Sequence, residues 1–148
     1  MTRKRSSYRP RAVIHDTMSY IKQGHEPISS DPDTYMRIKA RTHGAIVALM
    51  NDTADVNDLN TLISVSNIAT GYTAIDLGRD YEQEIRIGAH AVAAVRERLV
   101  KWKKVQATPA EREAISLLVD ICDAQIDAST RADFEKARAV VTRMGCEV

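Results

Sequence analysis

Between Arg41 and Arg79 the chain carries no lysine and no arginine. This run, residues 42–78, is 37 residues long and holds four acids (Asp52, Asp55, Asp58 and Asp76) and one histidine. Its second half reads as a helix over about 54–76, with Val56, Leu59, Leu62, Ile63, Val65, Ile68, Ala69, Tyr72 and Ile75 at helical spacing. Asp52, Asp55 and Asp58 sit at or near its start, where negative charge suits the helix dipole. The remaining polar residues are small: Ser64, Ser66, Asn67, Thr70, Gly71 and Thr73. A surface helix shows a charged outer face, so a helix with none is expected to be surrounded. Two arrangements do that. The helix is the central member of a single-chain bundle, or its Ser66–Asn67–Thr70 face meets a second copy of the chain or another protein.

The flanking sequence supplies further helices. Asp31 is placed to cap a helix with Pro32 at its first position, running to about Met50. Two rows fit its helical period: Met36, Ala40, His43, Val47 and Met50, and Ile38, Ala45, Ile46 and Leu49. "NDTAD" (51–55) breaks it, and Thr53 is expected to cap the next helix. "DLGRD" (76–80) is a turn around Gly78. A helix over about 80–105 starts acidic and ends basic, with Trp102 in line with Val92, Val95 and Leu99 and so expected to close the core. "TPAE" (108–111) matches a capping box for a helix over about 109–128, and Thr130 with Asp133 matches one for 131–144. At the other end, Pro10 opens a segment ending before Gly24, with Val13, Ile14, Met18 and Ile21 as its apolar stripe. No segment alternates with period two. Only 5% of the residues are aromatic, so the core is built from Ala, Val, Ile and Leu. The expected fold is an all-α antiparallel bundle of five or six helices, with residues 10–148 as one domain behind a flexible basic arm, residues 1–9.

The chemistry-bearing residues point away from catalysis. His15-Asp16 is the pair used by metal-dependent phosphohydrolases, but that fold needs another histidine before it and there is none. His43 and His90 lie in apolar surroundings, as hydrogen-bonded core histidines do. No histidine pair has the i, i+4 spacing of zinc ligands on a helix. There is no phosphate-cradling glycine loop and no nucleophile elbow. Neither enzymatic activity nor a cofactor is expected. No apolar run reaches the length of a membrane span. Two cysteines, Cys122 and Cys146, in 148 residues form no disulfide framework. The expected setting is a reducing cytoplasm.

Charge distribution marks two candidate surfaces. Glu113, Asp120, Asp123 and Asp127 share one face of the 109–128 helix, either as its solvated side or as a surface for a basic partner. Arg3, Lys4, Arg5, Arg9 and Arg11 make the N-terminal arm basic. With Arg98 and Lys101 from the basic end of the 80–105 helix, they would supply phosphate contacts to nucleic acid. "RPRAVIHDTMSYIKQGHEPI" and "RIKARTHGAIVAL" resemble small uncharacterised helical proteins carried by phages and other mobile elements of proteobacteria. The shared features are a proline-containing basic start, a "DTM-x-Y" segment and an "Ile-Lys-x-x-x-His-Gly-Ala" helix, over residues 8–75. The resemblance implies an accessory role in a mobile element and brings no activity with it. The expected function is therefore non-catalytic regulation through protein–protein contact, as a homo-oligomer and most simply a dimer. Nucleic-acid binding through the arm is the alternative.

Overall fold

The computed structural model describes residues 24–145. The basic arm, His15 and the Val13–Ile14–Met18–Ile21 stripe lie outside those residues. A single 3-10 turn, Ile28–Ser30, precedes five α-helices: α1 (Pro32–Met50), α2 (Val56–Ala74), α3 (Glu82–Trp102), α4 (Pro109–Ala128) and α5 (Arg131–Arg143). The protein is all-α, as its composition implies.

Helix starts are set locally. Asp31 accepts a hydrogen bond from the Thr34 amide at 3.3 Å, and Pro32 follows it. Thr108 with Glu111 and Thr130 with Asp133 form the two reciprocal caps read from the sequence. Thr53 does not cap α2. Its hydroxyl donates back to the Ala48 carbonyl at the end of α1, and Asp55 takes the N-cap, reciprocated by the Asp58 carboxylate. Asp55 wins because an acceptor stands three residues after it, whereas Val56 stands three after Thr53.

Helices α1 to α4 are antiparallel around α2, which touches all four other helices. Opposed pairs show the directions. Lys39 meets Asp127 while the Met50 carbonyl meets Arg112, and Arg98 meets Glu111 while Gly88 meets Leu118. Helix α5 departs from this pattern. Phe134 stacks near Tyr72, Ala137 and Val141 lie over Gly71, and Met144 lies by Thr70 and Thr73. Thus α5 crosses α2 over one short stretch. Leu59, Leu62, Ala69, Tyr72, Val95, Ile115 and Leu118 form the fully buried centre. The Tyr72 hydroxyl shares a hydrogen bond with Ser129 at 2.9 Å, and Ser129 donates to the Ile126 carbonyl, so these buried hydroxyls are satisfied.

Further sequence expectations need correcting. Arg79–Tyr81 is a 3-10 turn, and α3 ends at Trp102 because Lys103 adopts a left-handed backbone at φ 57°. Trp102 therefore does not close the core. It is 58% exposed, and Val105 and Ala107 turn inward instead. Of the two rows on α1, Ala45, Ile46 and Leu49 are buried with Ile38 half-buried, while Met36, Ala40, His43, Val47 and Met50 are all exposed. His43 and His90 are both exposed rather than core residues. Finally, the described helices do not wholly enclose α2. Asn60 is exposed and Ser64 and Asn67 are half-buried.

Candidate protein-interaction surface

The four carboxylates on α4 have different fates. Asp123 and Asp127 face α1, where Tyr35, Lys39 and His43 fall at four-residue steps and so line one side of that helix. The Tyr35 hydroxyl donates to Asp127 Oδ1 at 2.6 Å, and Lys39 Nζ donates to Asp127 Oδ2 at 3.0 Å. His43 Nε2 lies 2.6 Å from Asp123 Oδ2, within hydrogen-bonding distance. The hydrogen bond from Tyr35 holds the Asp127 carboxyl below its ordinary range; burial opposes this and Lys39 reinforces it. Burial works against the Lys39 charge, but Asp127, Tyr35 and Asp123 outweigh that and raise its pKa. The result is a seam joining α1 to α4. Tyr35 and Lys39 were not among the sequence candidates. Their register with Asp123 and Asp127 was the available signal, and reading it requires knowing that α1 and α4 are neighbours.

Glu113 and Asp120 remain exposed on α4 beside Leu117, itself 47% exposed. On the other flank of the seam, Met36, Ala40, Gly44 and Val47 follow one another along the outward side of α1. Met36 is 62% and Val47 56% exposed, and this row carries no charge. Of the small-residue candidates on α2, Ser66 is buried within its own chain, and Asn67 and Thr70 are half-buried.

The basic candidates also divide. Arg98 is engaged inside the protein, donating from Nη1 to Glu111 Oε2 and to the Gln106 carbonyl, both at 2.7 Å, and from Nη2 to Glu111 Oε1. Lys101 is exposed, with its ammonium 5.7 Å from the centre of the Trp102 ring. Arg3, Lys4, Arg5, Arg9 and Arg11 lie outside the described residues. Cys122 is buried, and burial pushes its thiol up to about 12, so it is not a thiolate at neutral pH. Among the described residues no group of three or more His, Cys, Asp and Glu side chains is placed to hold a metal ion, and no helix is long and apolar enough to cross a membrane.

The Glu111 contacts give a pH prediction. Arg98 chiefly, and then the Thr108 amide, hold the Glu111 carboxyl below its ordinary value, against burial. A carboxyl whose pKa is lower folded than unfolded stabilises the fold above its unfolded pKa of about 4.3, and loses that contribution as pH falls through the folded value. Glu111→Gln is expected to cost about 1–2 kcal/mol at pH 7. It is also expected to flatten the decline in urea midpoint between about pH 5 and pH 2. Asp31, Asp127 and Asp133 are lowered too, so part of the decline persists.

Comparison of the chain with protein-family models, with curated proteins and with solved structures finds no match. The fold is a small all-α bundle, and the outward side of α1 exposes Met36 and Val47.

Proposed function

We propose that this protein is a non-catalytic accessory or regulatory protein that works through protein–protein contact, and that the outward face of α1 mediates self-association into a dimer. The observation that carries the reading is the Met36–Ala40–Gly44–Val47 row. A solvated helix face normally carries charge, and contiguous exposed apolar surface marks interaction sites. Alanine and glycine at its centre let a second helix approach closely. Glu113 and Asp120 lie on the neighbouring helix, where they suit a partner with basic residues at its rim. The setting in a phage or other mobile element, in a bacterial cytoplasm, rests on the resemblance of residues 8–75.

The exposed Trp102 favours a second reading. Lys101, Lys103 and Lys104 surround it and all are exposed, an arrangement that pairs a stacking surface with phosphate-binding charge. The basic arm would add to it.

One set of measurements separates the readings. Light scattering of the full chain is expected to give twice its 16.5 kDa mass, and Val47→Asp is expected to return it to the single-chain mass. A monomeric wild-type chain that also recovers no protein from a bacterial lysate overturns the first reading. Affinity capture lost on nuclease treatment, with a mobility shift on DNA or RNA abolished by Lys101→Glu, establishes the second in its place.

A further inference from the structure

A cleft of about 600 Å³ opens at one end of the bundle, between the α1–α2 turn and the loop that joins α3 to α4. Asp52 stands on the first side, and Trp102, Lys104, Gln106 and Thr108 stand on the second. Its volume lies in the range of small-ligand sites. Both sides are pinned. Arg112 bridges them, donating from Nε to the Ala107 carbonyl at 3.2 Å, from Nη1 to the Met50 carbonyl at 2.8 Å and from Nη2 to Asp52 Oδ1 at 2.5 Å. Arg98 holds the neighbouring Gln106 carbonyl at 2.7 Å. Asp52 at φ 56° and Lys103 at φ 57° are both left-handed. That conformation is uncommon outside glycine, and it persists where the surroundings enforce it, often at binding sites. The charges of both arginines are answered, Arg98 by Glu111 and Arg112 by Asp52. What the cleft presents outward is the indole of Trp102, the ammonium of Lys104 and the amide of Gln106, all three exposed.

We propose that this cleft takes an unpaired base of a single-stranded nucleic acid, stacked on Trp102 and hydrogen-bonded by Gln106, with the flanking phosphates on Lys101, Lys103 and Lys104. The proposal rests on the nucleic-acid reading above and narrows it to single strands. Three observations favour that. First, an exposed aromatic ring serves bases that are free to stack on it, and the bases of a duplex are already stacked on one another. Second, a carboxamide both donates and accepts, so Gln106 matches the hydrogen-bonding edge of a base, which pairing would hide. Third, the cations are few. Lys101, Lys103 and Lys104 surround Trp102, while Asp52 lines the opposite side. That charge suits a short stretch of one strand rather than the broad basic face that follows a duplex backbone. The clasps by Arg98 and Arg112 set the loop before any ligand arrives, which lowers the entropy lost on binding.

Trp102 is the only tryptophan in the chain, so its fluorescence reports the cleft directly. In the full chain at low salt, a short oligo(dT) strand is expected to quench it, and a hairpin duplex of equal length is expected to bind about tenfold more weakly. Contacts from the three lysines predict a slope of about −2 for log affinity against log salt. Trp102→Ala is expected to weaken binding of a labelled strand by about tenfold, with the melting temperature unchanged because the side chain is exposed. Equal affinity for strand and duplex, unaffected by Trp102→Ala, overturns the proposal and leaves the nucleic-acid reading standing. No binding to either overturns both. A blue shift of Trp102 on phosphatidylglycerol vesicles, with no response to oligo(dT), also overturns it and assigns this end of the bundle to a membrane surface.

Discussion

Gly71→Val is expected to lower stability by about 3 kcal/mol, among the larger costs seen for overpacking a core. For a chain of this size that is a fall of roughly 8 °C in melting temperature. At Gly71 a Cβ would stand 2.6 Å from the Ala137 carbonyl oxygen and 2.9 Å from Val141 Cγ2. The first obstacle is backbone, which cannot rotate away. The crossing helix must lift, and α5 packs mainly on α2. Gly71→Ala is the milder step, because alanine's better helix propensity, about 1 kcal/mol, offsets part of the clash. The contrast is Gly44→Ala. Nothing lies within 4 Å of that position, so in dilute solution it is expected to gain up to about 1 kcal/mol. Urea unfolding of the three variants checks the order. Hydrogen exchange is expected to show the Gly71 loss concentrated in α5. Equal stabilities for Gly71→Val and wild type would exclude this crossing.

Leu118→Ala is expected to cost about 4 kcal/mol, toward the upper end for leucine truncations. Leu118 is 0% exposed. The size of the loss depends on how far the surroundings collapse into the space left behind. Here they have little room to do so. A Cβ on Gly88 would come within 2.6 Å of Leu118 Cβ and 3.0 Å of the Ala114 carbonyl, so α3 and α4 are already at closest approach. The cavity stays open. Denaturant unfolding should show a lower midpoint with an unchanged slope. A cost under about 1 kcal/mol would mean that the two helices slide to close the gap.

Much of this fold was legible because its boundaries are written in short motifs. Asp31-Pro32, Thr108–Glu111 and Thr130–Asp133 each bring donor and acceptor together within four residues, so no tertiary information is needed. Asp55 was legible by the same rule, and Thr53 merely stood nearer to the preceding helix. Trp102 was a different failure. Helical phase carries a residue into the core only while the helix continues, and a lysine in the left-handed region gives no warning of the stop. On α1 the period yields two apolar rows, and choosing the buried one requires knowing which helices flank it. The candidate surface shows the same limit. The α4 acids were readable as a row, but only the approach of α1 divides them into Asp123 and Asp127, which hold the bundle together, and Glu113 and Asp120, which do not.

The bonds from α1 to α4 join residues far apart in sequence: Tyr35 and Asp127 are 92 positions apart, Lys39 and Asp127 88. The chain around Glu26 and Ile28 pairs with Ser129 and Arg131. During synthesis, α1 therefore leaves the ribosome long before any partner for Tyr35, Lys39 or Ile28 exists. The α3–α4 hairpin closes on near neighbours, through Arg98–Glu111 and Gly88–Leu118. The last helices made complete the seam of the first, so a nascent chain halted before residue 123 carries Tyr35, Lys39 and His43 without their α4 partners.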